Sequence, residues 1–133
     1  MLAAWSTPSS EFSIGGTALD NRATGTTTLI TDLASTALYL RLWCTLGSIN
    51  TAAGASVRFE LREKRGSVYA QNPVAEVTVP ILVTGASVKD LACRLQLPGP
   101  FAYGIYWTNN AGVNSAASGN ALFFQTYSEE GSP

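Results

Sequence analysis

Apolar and polar residues alternate with a period of two through most of this chain, and Gly, Ser, Thr, Asn and Pro interrupt the alternation. Leu38, Leu40, Leu42, Cys44 and Leu46 fall on one side of an extended segment, with Tyr39, Arg41, Trp43 and Thr45 on the other. Successive side chains of a strand point to opposite faces, so the pattern predicts a half-buried strand. Thr36 to Leu46 could be scanned as a helix, but Thr36, Tyr39, Trp43 and Thr45 favour strand. Val57, Phe59 and Leu61 oppose Arg58, Glu60 and Arg62 in the same way. Leu91, Cys93, Leu95 and Leu97 oppose Ala92, Arg94 and Gln96. Phe101, Tyr103, Ile105 and Trp107 oppose Ala102, Gly104, Tyr106 and Thr108.

Further strands are expected at the β-branched run 26–31, at Val74 to Val79 before Pro80, and at Ala121 to Tyr127. Ile81 to Thr84 reads as a continuation after a bulge or as a short edge piece. Gly15-Gly16, Leu19 to Gly25, Gly47 to Ala55, Glu63 to Ser67, Pro98-Gly99-Pro100 and Asn109 to Asn120 read as turns and loops. About seven or eight short strands without a helix predict an all-β, antiparallel β-sandwich, and eight strands in two sheets suggest a jelly roll. Its expected core contains Leu40, Leu42, Phe59, Leu61, Leu95, Leu97, Phe101 and Ile105. Residues 1–11 read as an extended N-terminal arm, 12–127 as the sandwich and 128–133 as a loose polar tail.

Composition narrows the function. The 133 residues carry 8 Lys and Arg against 9 Asp and Glu, a formal net charge of -1. A domain that grips nucleic acid through phosphates needs a basic excess, so nucleic acid is not an expected partner. A near-zero charge with 46% hydrophobic residues favours association, which suits an assembly component, expected as a homo-oligomer (dimer or trimer). No secretory leader is read at Met1 to Ser10, and no stretch approaches the roughly 18 apolar residues of a membrane span. Synthesis in a cytoplasm and no membrane partner are therefore expected. Cys44 and Cys93 sit at strand positions shared with leucines and read as buried free thiols. A disulfide would require their strands to face each other, and a reducing compartment disfavours it.

Candidate chemistry is sparse. The chain has no histidine, which removes Ser-His-Asp and Cys-His arrangements and imidazole-based zinc sites. Glu60 and Glu63 lie on opposite faces of one strand and cannot work as a carboxylate pair. Asp20, Asp32, Glu76 and Asp90 are scattered singly. The loop from Thr108 to Asn120 offers amides and hydroxyls but no carboxylate for calcium. No enzyme activity, cofactor or metal is expected.

Contact residues are easier to nominate. Arg58, Arg62, Lys64 and Arg65 supply four of the eight positive charges within the span 58–65. They read either as a solvated strand face with Glu60 and Glu63 interleaved, or as a polar protein contact in which the planar guanidinium makes several hydrogen bonds. Arg41 and Arg94 occupy outward positions on other strands. Tyr39, Trp43 and Tyr106 fall on the faces opposite the leucines, where aromatic side chains mark interfaces or sugar platforms unless an arm or loop covers them. Leu2 and Trp5, on the Ser/Thr/Pro-rich arm, would anchor onto a neighbouring subunit or fold back over a sheet. Asn109, Asn110 and Asn114 complete the candidate interface.

A Ser/Thr/Gly-rich arm precedes the alternating strands. Near the end come Pro98-Gly99-Pro100-Phe101-Ala102-Tyr103, a Gly/Asn/Ser/Ala loop, and the closing segment Gly119-Asn120-Ala121-Leu122-Phe123-Phe124. This layout resembles the small jelly-roll capsid cement or decoration proteins of tailed bacteriophages. The resemblance implies a non-enzymatic virion protein that binds the outside of an icosahedral shell, through its major capsid protein or another virion protein, and clamps capsomers together. It carries no portable set of binding residues. The alternative from another class is a carbohydrate- or receptor-binding β-sandwich of a tail fibre, with Tyr39, Trp43 and Tyr106 as its platform.

Overall fold

The computed structural model describes the backbone of residues 2–5, 12–15 and 18–132 and the side chains of residues 18–128. The strands are β1 (Leu2–Trp5), β2 (Phe12–Gly15), β3 (Thr27–Ala34), β4 (Tyr39–Thr51), β5 (Ser56–Arg65), β6 (Val68–Pro80), β7 (Gly85–Gln96), β8 (Ala102–Asn110), β9 (Ala121–Tyr127) and β10 (Glu129–Ser132). They form two four-stranded antiparallel sheets, β2-β9-β4-β7 and β3-β8-β5-β6, and a two-stranded ribbon of β1 and β10. The pairing is nested: β5 pairs with β6, β4 with β7, β3 with β8, β2 with β9 and β1 with β10. Two lateral pairings, β4 with β9 and β5 with β8, complete the sheets.

The inward side chains of both sheets meet in one core. Leu40, Leu42, Cys44 and Leu46 of β4, Leu91 and Leu95 of β7 and Leu122 of β9 pack with Val57, Phe59 and Leu61 of β5 and with Tyr103, Ile105 and Trp107 of β8. The molecule is thus an all-β antiparallel sandwich, and the period-two pattern selects the buried set in four of its strands. Phe101 departs from the expected core: it is 50% exposed. The strand begins only at Ala102, and at Phe101 the chain is still in the turn, where its amide donates to the Gly99 carbonyl at 2.9 Å. Parity does not govern a residue outside the strand. Leu38, one residue before β4, is exposed for the same reason.

The segment from Gly47 to Ala55 is not a loop throughout, because β4 runs on to Thr51. The register advances three residues on β4, from Leu46 to Ile49, but only two on β7, from Lys89 to Ser87. This bulge switches the inward positions from even to odd numbers, so Ile49 and Thr51 are buried after Leu46. Gly47 is required there. A Cβ at Gly47 would collide with the backbone of Ser118, and its amide donates to Asn120 Oδ1 at 2.9 Å. Ile81 to Thr84 forms no strand; Ile81 donates its amide to the Ala55 carbonyl and the chain turns into β7. The tail expected to be loose forms β10 over Glu129–Ser132. Of the expected arm, only the β1 backbone is described, and it pairs with that tail; residues 1 and 6–11 and the side chains of Leu2 and Trp5 lie outside the described residues.

The uncharged segment 111–120 is fixed by amides rather than by apolar packing alone. Asn109 Nδ2 donates to the carbonyls of Arg22 and Val113, both at 2.9 Å, while its Oδ1 accepts the Ala111 amide. The Ser115 hydroxyl donates to the Leu19 carbonyl and accepts from the Arg22 amide. Asn120 bonds Gly47, Asp20 and Ala116. Removing one such side chain strands several buried backbone groups. Asn109→Ala should therefore lower unfolding free energy by roughly 2–4 kcal/mol, measured by urea denaturation; a loss within error would mean the loop is held by other contacts.

Cys44 and Cys93 are both free, Cys44 buried and Cys93 partly so. They are not directly opposite: Cys44 faces Leu91 and Cys93 faces Leu42. Burial pushes the Cys44 thiol from an ordinary 9.0 up to about 12, helped by its neighbours Cys93 and Asp90, and burial alone pushes Cys93 up to about 11. Well below pH 9 the thiols are protonated whether the chain is folded or not. Above it the unfolded chain ionises first, so stability should fall as pH rises from about 9 towards 11–12. Urea midpoints at pH 7 and pH 10 check this: Cys44→Ala should show a smaller decline between the two pH values than the parent chain.

Candidate functional site

The two sheets present chemically different outer faces. On the β3-β8-β5-β6 sheet, alternation aims Arg58, Glu60 and Arg62 of β5 outward, yet Glu60 is buried at 3% exposure. Its carboxylate lies 3.1 Å from the Arg62 guanidinium and 3.8 Å from that of Arg58. The Arg62 guanidinium also stacks 4.1 Å above the Tyr106 ring, and Tyr106 meets Tyr69 edge-on with centroids 5.9 Å apart. Tyr69 and Lys64 both bond Asp32, Lys64 at 2.7 Å. These two bonds hold the Asp32 carboxyl below the usual carboxylate range and, reciprocally, push Lys64 and Tyr69 up. Tyr69 reaches Asp32 across Gly104 of β8. A Cβ at Gly104 would sit 2.7 Å from the Tyr69 ring, so glycine is what opens the passage.

This face is therefore internally compensated. The guanidinium groups of Arg58 and Arg62 and the ammonium of Lys64 are matched by carboxylates or rings of the same sheet. Arg58 and Arg62 each retain a buried Nε without a hydrogen-bond partner. Arg65, at the end of β5, is exposed at the hairpin tip and joins no ion pair among the described residues.

The β2-β9-β4-β7 sheet differs. Its outer positions form lateral rows across β9, β4 and β7: Tyr127, Tyr39 and Gln96; then Gln125, Arg41 and Arg94; then Phe123, Trp43 and Ala92. Tyr39 and Tyr127 stack with centroids 5.2 Å apart. Trp43 is 39% exposed, with the Arg41 guanidinium 5.9 Å from its ring. A shallow depression of ≈ 210 Å³ opens among Arg41, Trp43, Phe123, Phe124 and Gln125. Another, of ≈ 300 Å³, is lined by Tyr39, Arg94, Leu95, Gln96 and Tyr127.

The structure thus brings Tyr39, Arg41, Trp43 and Arg94 together on one face, and places Arg58, Arg62 and Tyr106 on the opposite face. Asn110 and Asn114 are exposed at the end of the sandwich far from Arg65. Asn109 does not reach the surface: it is 1% exposed and its amide is engaged internally. Sequence reading missed Phe123, Gln125 and Tyr127, although alternation in Ala121 to Tyr127 was available to assign them. It also missed an exposed apolar group at the β6–β7 turn, Leu82 and Val83, with Val88 nearby on β7. The unbroken apolar run Ile81-Leu82-Val83 was its signal. Among the described residues no group of three or more Cys, Asp or Glu could hold a metal ion, and no helix is long and apolar enough to cross a membrane. No protein-family model matches the chain, and no curated protein matches its sequence.

The burial of Glu60 between two guanidinium groups makes a test of the compensated face. Neutralising it leaves Arg58 and Arg62 facing each other over an amide. Glu60→Gln should destabilise the fold by about 1–3 kcal/mol, with the loss shrinking when Arg58→Gln is added; a wild-type urea midpoint would show that solvent already screens the group.

Proposed function

We propose that this chain is a non-enzymatic virion structural protein, a capsid cement or decoration protein that binds the outer shell and stabilises it through protein contacts. The observation that carries the reading is the strand order. Nested pairs folded into the sheets β2-β9-β4-β7 and β3-β8-β5-β6 are what a jelly roll requires, and that architecture recurs in viral capsid and lectin domains. The open row of Tyr39, Arg41, Trp43 and Arg94 supports binding rather than catalysis, since aromatic and Arg side chains dominate the energetics of protein interfaces. On this reading the chain is made in a host cytoplasm, acts as a dimer or trimer, and uses residues 1–11 as an anchor. A single Trp buried at each subunit contributes on the order of 2–3 kcal/mol, which matters when repeated over a shell.

One observation favours a second reading. The depression beside Trp43, with Gln125 and Arg41 at its rim, has the aromatic floor and polar edge that a sugar would use in a tail-fibre domain. Mass spectrometry of purified particles, with cryo-microscopy to locate the chain, separates the two. The cement reading expects density on the capsid surface and lower occupancy when residues 1–11 are deleted. Density confined to the tail would select the second reading, and absence from particles would remove both.

A further inference from the structure

We propose that the outer face of the β2-β9-β4-β7 sheet docks a carboxylate-bearing segment of a partner protein, received between the guanidinium groups of Arg41 and Arg94. This deepens the binding reading above and rests on it. The register places Arg41 directly opposite Arg94 on adjacent strands. Like charges directly opposite each other across a sheet are destabilising, so the isolated fold is less stable for keeping them there. Among the described residues no carboxylate contacts either guanidinium. Arg41 has the Gln125 amide oxygen at 3.3 Å and the Trp43 ring, both neutral. Asp90, on the same face, lies two rows away and is already bonded by the Thr45 hydroxyl at 2.7 Å.

The opposite face shows that this chain can place carboxylates against its cations when stability alone is served: Glu60 lies between Arg58 and Arg62, and Asp32 holds Lys64. At the Arg41–Arg94 pair no such counter-charge stands among the described residues. The occupant follows from charge and shape. A guanidinium fork accepts a carboxylate through two parallel hydrogen bonds. The flanking rows, Tyr39 with Tyr127 and Trp43 with Phe123, offer apolar surface on either side of the arginine row. An acidic side chain flanked by apolar ones matches both features. A polyanion is a poorer match, because two cations in a chain of net charge -1 release few counterions.

The test uses the full chain and follows the Arg Nε–H signals by NMR. The probe is a blocked peptide of alternating Glu and Leu, with a Gln/Leu peptide, a heparin oligosaccharide and oligothymidylate as comparisons. The Glu/Leu peptide should shift the Arg41 and Arg94 signals and the Gln/Leu peptide should not. Arg94→Glu should weaken peptide binding at least ten-fold, and it should raise the melting midpoint by roughly 1–4 °C, because the new carboxylate neutralises Arg41. Arg94→Gln should weaken binding without reversing the charge. Equal binding of the Gln peptide, a lower midpoint for Arg94→Glu, or no shift with any probe overturns the proposal. So does response to heparin or oligothymidylate alone. Shifts that appear on concentrating the protein without peptide would assign the face to a second copy and overturn it as well. Peptide binding by a chain absent from particles would remove the virion reading alone; a particle-bound chain that ignores the peptide would remove this inference alone.

Discussion

Two-sided pairing of β4 is the constraint on which the rest of the molecule depends. Between Tyr39 and Thr45 this strand is hydrogen-bonded to β9 on one side and β7 on the other. Neither edge is free, so its register cannot slip without breaking two ladders. A slip of one residue would also exchange Leu40, Leu42 and Cys44 for Tyr39, Arg41 and Trp43 in the core. The lateral rows on the outer face follow from that register, and so does the confrontation of Arg41 with Arg94. The bulge at Gly47 and Ser48 then lets the far half of β4 bury Ile49 and Thr51, and the loop that approaches Gly47 must be glycine-close to do so.

Much of this was legible in the chain. Alternation located β4, β5, β7 and β8 and assigned most inward and outward positions, because side-chain parity is a local property. Strand ends were harder. Gly47-Ser48 has turn composition, yet a bulge needs the same residues as a turn, and only the partner strand distinguishes the two. Phe101 and Leu38 continued their patterns by one residue beyond the strand, where parity loses its meaning. Burial of Glu60 was not legible at all. A strand pattern puts Glu60 on the outer face, and only the tertiary arrangement of Arg58, Arg62 and Tyr106 encloses it. The face that unites Tyr39, Arg41, Trp43 and Arg94 also depends on which strands pair, and pairing partners some fifty positions apart leave no local trace.

The two outer faces differ in how far their charges are satisfied within the fold. Behind β5 and β8, charges are neutralised within the sheet, Tyr69 crosses Gly104 to reach Asp32, and a ring caps the Arg62 guanidinium. Across β4, Arg41 and Arg94 meet no carboxylate among the described residues, and Trp43 remains partly in water. Proteins commonly retain such locally unfavourable groups where function needs them, at some cost in stability.

The nesting of the strands sets the order in which the chain can fold. Among the described strands, only the β5–β6 hairpin joins neighbours in sequence; every other pair closes a longer loop, and β2 cannot meet β9 until nearly the whole chain exists. Loop-closure entropy therefore falls on the folding transition before most native contacts can offset it, which places the chain among slow, high-contact-order folders. A ribosome releasing this protein from its N-terminus exposes β2, β3 and β4 while their partners are still unmade. The β4 segment, with its leucines and two unfilled edges, stays open to other chains until β7 and then β9 are made, and its safety in the cell depends on how quickly they arrive.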